Sequence, residues 1–143
     1  MGHARMNELS QQVPDEFYFE VNIALSTPFG VRWVVDHFEL EGPFVGKIPK
    51  PKPSAADWQK FWVSVEKIGV WDWNPSYENL LVLDGEDWEL SVRYQGKVVR
   101  SKGSNAYPSA PGEDSNPSVS YIRFIKALGI LTGISRSFLT ISE

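Results

Sequence analysis

Residues 71–108 read WDWNPSYENLLVLDGEDWELSVRYQGKVVRSKGSNAYP, and the second half of this stretch decides the fold. From Asp87 to Tyr94 the large residues Trp88, Leu90, Val92 and Tyr94 alternate with Glu89, Ser91 and Arg93. A period of two marks a strand with one buried face. Gln95-Gly96 is a tight-turn pair, and Lys97–Lys102 returns along the first strand. A two-residue loop sets Val92 opposite Val99 and Glu89 opposite Lys102, whereas a bulge at Gly96 shifts this register by one. Leu80–Leu83 is a short apolar run, closed by the turn pair Asp84-Gly85. At the two ends of the stretch, Trp71, Trp73 and Tyr77 lead in, and Gly103-Ser104-Asn105-Ala106-Tyr107 leads out.

Working outward to the N-terminus, Phe17, Phe19, Val21, Ile23 and Leu25 alternate with smaller or polar residues and predict another strand. Thr27-Pro28-Phe29-Gly30 supplies a turn, and Val31–Leu40 follows as one strand, apolar on both faces and therefore expected to be central. Each proline in Lys47–Pro53 fixes its own φ and disfavours helix before it. That segment reads as a stiff crossover rather than a docking peptide. Ser54 is an N-cap with Asp57 three residues on, and Trp58, Phe61, Trp62, Val65 and Ile68 form one helical stripe that stops at Gly69.

Towards the C-terminus, 103–117 is a Ser/Pro/Gly/Asn-rich loop, with Asn116 as candidate N-cap and Pro117 at the first helical position. Val119, Ile122, Ile125 and Leu128, broadened by Tyr121 and Phe124, give a second helical stripe, weakened by Gly129 and Gly133. Residues 135–143 hold Phe138, Leu139 and Ile141 and read as a terminal strand or a loose tail. The order ββαββα predicts a two-layer α+β domain over 16–143: an antiparallel sheet of about four or five strands with two helices packed on it. Residues 1–15 are polar and predict a flexible tail.

A chain of 143 residues with 42% hydrophobic residues suits one globular domain. The net charge is −4, without the basic excess of a nucleic-acid binder. No cysteine is present, so neither disulfides nor a thiolate metal site can form. No apolar leader and no stretch of membrane-spanning length is found, which leads to the expectation of a cytoplasmic protein away from the membrane.

Catalytic signatures are missing: there is no nucleophile elbow, phosphate-binding glycine loop, dinucleotide fingerprint or zinc-protease helix. His37, beside Asp36 and Glu39, reads as a hydrogen-bonded strand residue rather than a base. The carboxylates of Asp84-Gly85-Glu86-Asp87 and Glu89 are the best candidates for a cation site, but they do not follow a calcium-loop spacing; a solvated β-turn explains them, and no metal or cofactor is expected. Gly103 and Asn105 tolerate positive φ and could turn a row of N–H groups towards an anion, with Lys97, Arg100 and Lys102 making that edge basic. A plain connecting loop, plugged by Tyr107-Pro108, explains the same residues.

The motifs W-x-W-x3-Y at Trp71–Tyr77, D-G-x-x-W at Asp84–Trp88 and G-S-N-A-Y-P at Gly103–Pro108 resemble those of a family of small uncharacterised bacterial proteins. The likeness covers the C-terminal half to two-thirds of the chain and departs from the pattern after Pro108. It implies no activity, substrate or cofactor. The residues favour a non-enzymatic binding or protein-interaction domain, immunity-like or accessory, with aromatic anchors at Trp71, Trp73 and Tyr77. The alternative is a site for a small, anionic ligand, enzymatic or not, around Lys102, Gly103, Ser104, Asn105 and Tyr107.

Overall fold

The computed structural model describes residues 9–23, 29–41, 48–79, 86–108 and 118–134. They form an α+β fold in which one sheet carries helices on one face. The strands are β1 (Glu16–Ile23), β2 (Phe29–Val34), β3 (His37–Glu41), β4 (Ser76–Glu78), β5 (Glu86–Tyr94) and β6 (Lys97–Ser104). The helices are α1 (Ala55–Ile68) and α2 (Val119–Thr132), with a short 3-10 turn at Val70–Asp72 and helical residues at 9–12. Spatial order across the sheet is β3-β2-β1-β5-β6-β4, antiparallel except that β4 runs parallel to β6. No described helix is long and apolar enough to cross a membrane.

The β5–β6 hairpin has the expected register, with Val92 opposite Val99 and Glu89 opposite Lys102. Its loop residues Gln95 and Gly96 both take positive φ, 49° and 78°, the backbone twist that suits a two-residue hairpin. The side chains of Glu86, Trp88, Leu90, Val92 and Tyr94 are buried on the helix side. Helix α1 starts at a full capping box: the Ser54 hydroxyl accepts from Asp57 N at 3.1 Å, and the Asp57 carboxylate accepts from Ser54 N at 3.1 Å. It ends at Gly69, φ 83°.

Aromatic rings fill the space between the layers. Trp58 is fully buried and meets Trp33 edge-on at 5.1 Å, Phe38 at 5.4 Å and Trp62 at 5.5 Å. Trp62 in turn stacks on Tyr94 at 3.9 Å with planes 7° apart. Offset and edge-on ring pairs of this kind add to the burial of large apolar area.

Several expectations are corrected. The sheet has six strands, not four or five, and it is mixed. The stretch Val31–Leu40 is not one central strand. It breaks at Val35-Asp36 into β2 and β3, and β3 is an edge strand. No Gly, Pro or Asn marks that turn; Val35 itself adopts φ 58°, and Asp36 N donates to Val34 O at 2.6 Å, a tight three-residue turn of the rare positive-φ kind. Strand β4 was missed because three residues carry no readable period. Helix α2 is capped by Ser118, whose hydroxyl accepts from Tyr121 N at 3.2 Å, and it continues through Gly129 to Gly133. Of the expected turn Thr27-Pro28-Phe29-Gly30, the described Phe29 and Gly30 open β2 instead. Thr27-Pro28, the expected run Leu80–Leu83 with its turn Asp84-Gly85, the expected cap Asn116-Pro117, and 135–143 lie outside the described residues.

From residue 9 onward the polar N-terminal segment is tied to the body. Trp62 Nε1 donates to Gln12 O at 2.6 Å, Gln95 Nε2 to Gln11 O at 3.0 Å, and Asp15 N to Arg93 O at 2.9 Å. Backbone groups make these bonds, and Val13 packs against the core beside the buried Pro14. The proline-rich segment serves as the crossover: Phe38 N donates to Pro51 O and Lys50 N to Thr132 O, both at 2.8 Å. It thereby covers the β3 edge.

Val35 is 89% exposed, so its side chain contributes little burial while its β-branch opposes the left-handed backbone. Replacing it tests this directly. Val35→Asn should stabilise the fold by about 1 kcal/mol, read as a higher urea midpoint at unchanged slope; a lower midpoint would mean that Val35 makes contacts its exposure does not reveal.

Candidate functional site

The exit loop of the β5–β6 hairpin is built around Trp88. Its Nε1 donates to Ala106 O at 3.0 Å. A Cβ placed on Gly103 would lie 2.1 Å from Trp88 Nε1 and 2.3 Å from Ala106 O. Gly103 is therefore required for space, so that the indole can slide beneath the backbone and reach the loop; its φ is not positive. Asn105 does take positive φ, 55°. There it forms a reciprocal pair with β5: Asn105 N donates to Glu86 O at 2.9 Å, and Glu86 N donates to Asn105 Oδ1 at 3.1 Å.

Glu86 has no exposed surface, which calls for partners. The Tyr107 hydroxyl donates to its Oε1 at 3.1 Å, and the Tyr107 ring packs on Tyr121 at 4.6 Å. Burial, reinforced by the Glu86 charge, pushes the Tyr107 phenol well above its usual range. Burial does the same to Tyr121, again with Glu86 adding to it. Both shifts favour the protonated phenol, and Tyr107 uses its proton as a donor to the Glu86 carboxylate. Ser118 donates its hydroxyl to Pro108 O and joins the loop to the start of α2.

The expected anchors divide. Trp71 stacks on Trp62 at 6.1 Å, with the Lys97 ammonium 5.9 Å from its ring centre. Trp73 meets Trp88 at 5.8 Å and Phe124 at 5.5 Å, and Tyr77 tilts over Trp88 at 6.2 Å. All three are half-buried against the core. Asn105 and Tyr107 close over Glu86. Tyr77, Lys102, Gly103 and Ser104 share a different place: a groove of about 310 Å³ on the sheet face that bears no helix.

This groove runs across four strands. Side chains of alternate residues point to the same face. Glu20 and Asn22 come from β1, Asp87 and Glu89 from β5, Lys102 and Ser104 from β6, and Ser76 and Glu78 from β4. Tyr77, Trp88 and Gly103 occupy the intervening positions, with the rings of Tyr77 and Trp88 packed on the helix side, so backbone forms the floor there. Four carboxylates thus surround one ammonium, Lys102. The basic edge foreseen at 97–102 is neutralised elsewhere. Lys97 donates to Glu66 at 3.2 Å and Arg100 to Glu16 at 2.8 Å, and the Glu16 carboxyl is lowered first by the Ser91 hydroxyl and then by Arg100.

Asp87 and Glu89 belong to the carboxylate run singled out in the sequence, whereas Glu20 and Glu78 were missed, because their convergence on it depends on β1 lying beside β5 and on β4 joining β6. Glu20 stands directly opposite Glu89 across the β1–β5 pair. Like charges in that position oppose folding; the Tyr18 hydroxyl, donating to Glu20 Oε2 at 2.5 Å, offsets part of this.

The other cluster of titratable groups is at the β2–β3 turn, at the opposite edge of the sheet. His37 Nδ1 lies 2.8 Å from Asp36 Oδ1, and Nε2 lies 2.8 Å from Glu39 Oε2. Hydrogen bonds to Asp36 and then to Glu39 raise its pKa. Both ring nitrogens are engaged by carboxylates, an arrangement that locks a turn rather than frees a base. No group of three or more metal-ligating side chains is assembled among the described residues.

No protein-family model matches the chain, and no curated protein or solved structure is found similar to it.

The Glu86–Tyr107 bond carries a prediction. Tyr107→Phe removes a donor from a sealed carboxylate and should cost about 1–3 kcal/mol of stability in urea unfolding, without altering the groove on the other face. A loss below roughly 0.5 kcal/mol would show that the loop does not rely on this bond.

Proposed function

We propose that this protein is a non-enzymatic binding domain that engages a protein partner through the open face of its sheet, the partner presenting Lys or Arg side chains to the groove. The observation that carries the reading is the facing pair Glu20 and Glu89 in a groove that also holds Glu78 and Asp87. Opposed carboxylates are a cost to the free protein that a partner's cation relieves on binding, and complementary charge speeds encounter and sets specificity. The uncovered face leaves room for a macromolecular surface. An immunity-like role, in which this acidic face covers a basic active surface of the partner, follows from the same charge. Under this reading the protein acts in the cytoplasm, in keeping with a chain that has no cysteine.

An anionic ligand at the Gly103–Tyr107 loop is less well supported. Asn105 N is bonded to Glu86 O, Gly103 is backed by the Trp88 indole, and the neighbouring groove is acidic.

A hexa-arginine peptide serves as the probe in calorimetric titration at low salt. The groove reading expects binding that weakens at least tenfold in the variant Glu78→Lys/Glu89→Lys. Asp72→Lys/Glu66→Lys, the same change of net charge outside the groove, should leave binding within about twofold of the parent, consistent with screening of distant charges. Equal loss in both double variants would reduce the effect to net charge and overturn the reading. Spermidine or a divalent ion binding in place of the peptide would assign the groove to a small cation instead.

A further inference from the structure

The helix layer carries a second groove, independent of the sheet-face reading. It lies between α1 and α2 on the side away from the sheet, encloses about 350 Å³, and is lined by Ser64, Lys67 and Ile68 of α1 and Arg123, Lys126, Ala127 and Ile130 of α2. The two helices are joined beneath it through Phe61 and Phe124, whose rings are 6.2 Å apart. Ile130 is 62% exposed and, with the half-buried Ile68 and Ala127, gives the groove an apolar floor.

The charge of this groove is the reverse of the chain's own. The protein carries −4, yet the groove's lining holds three cations and no carboxylate. Helix α2 contains no acidic residue. The two acidic residues of α1 are committed elsewhere, Asp57 to the capping box and Glu66 to Lys97. Among the described residues Lys67, Arg123 and Lys126 have no ion-pair partner, although carboxylates outnumber cations in the sequence. Three unpaired cations around an apolar floor are complementary to one kind of surface, an apolar ridge flanked by carboxylates.

We infer that this groove seats an acidic amphipathic helix of a protein partner. A groove between two packed helices accepts the side-chain ridge of a third, and helix-in-groove recognition uses apolar anchors at i, i+3/i+4 and i+7. The anchors cover Ile68, Ala127 and Ile130; Asp and Glu on either side meet Lys67, Arg123 and Lys126. Each flanking helix has 14 residues, about 21 Å of length, so three or four turns of the partner fill the site. A concave seat suits a ridge better than a flat lipid surface. The chain's own ends lack the required charge: 1–8 holds one acidic residue, Glu8, against Arg5, and 135–143 holds Glu143 against Arg136.

The probe is a fluorescein-labelled 14-residue peptide with Leu at i, i+3, i+7 and i+10 and Glu at the flanking positions. It is compared with the same peptide carrying Lys for Glu and with a scrambled peptide of equal composition. Fluorescence anisotropy should show saturable binding of the acidic helix, at least tenfold weaker binding of the scramble and none of the Lys version. Arg123→Glu/Lys126→Glu and Ile130→Asp should each weaken binding at least tenfold while circular dichroism and melting temperature stay unchanged. The hexa-arginine groove variants, on the other face, should leave it intact. Binding of the scramble as tightly as the helix, or indifference to Arg123, Lys126 and Ile130, would overturn the inference. So would partition onto phosphatidylglycerol vesicles with no binding of the peptide. Tighter peptide binding after deletion of 135–143 would identify the chain's own tail as the occupant and likewise overturn it.

Discussion

The indole of Trp88 passes under the backbone at Gly103 to reach the carbonyl of Ala106, and most of the molecule is organised by that contact. On one side of Trp88, the register of β5 against β1 places Val21 opposite it. On the other, Gly103 of β6 pairs with Tyr77 of β4, whose ring tilts over the same indole. Below, Tyr121 of α2 meets Trp88 at 5.3 Å. One large side chain therefore fixes the edge strand, the exit loop and the second helix together. Any side chain at 103 would have to displace either the indole or the loop backbone, and neither is the free end of a flexible chain.

The two faces of the sheet then have separate tasks. The helix side holds the aromatic core and the sealed Glu86, so its polar groups are spent on holding the exit loop. The open side gathers carboxylates from three strands, including two that oppose each other. Beyond the core, the helices present a groove of the opposite sign. A chain of modest net charge thus carries an acidic groove and a basic one separated by its own core.

What could be read beforehand follows from how local each signal is. The β5–β6 hairpin was legible from its turn pair and its period of two, which left two registers, a two-residue loop or a bulge at Gly96; the structure has the former. Helix α1 was legible from its cap, stripe and terminal glycine. The β2–β3 turn was not, because Val35 and Asp36 lack any turn chemistry and the tertiary structure imposes the bend. Strand β4 escaped because parallel pairing of three residues is a tertiary event. Of the expected site residues, the glycine of the 103–107 loop was read as conformational freedom for an anion nest, whereas its use is absence of volume. The groove carboxylates Glu20 and Glu78 looked like ordinary residues on separate segments, and only the strand order brings them to Asp87 and Glu89.

The dependence of the fold on the Trp88–Gly103 fit is tested most directly by a double-mutant cycle in urea unfolding, with Gly103→Ala, Trp88→Phe and the pair. If the glycine is there to admit the indole, Phe, being smaller and lacking Nε1, makes room for the added methyl. Gly103→Ala should then cost at least about 1 kcal/mol less in the Phe background than in the parent, within the range seen for contacting residues. Additive losses would contradict the account, because they would mean that Gly103 answers to something other than Trp88.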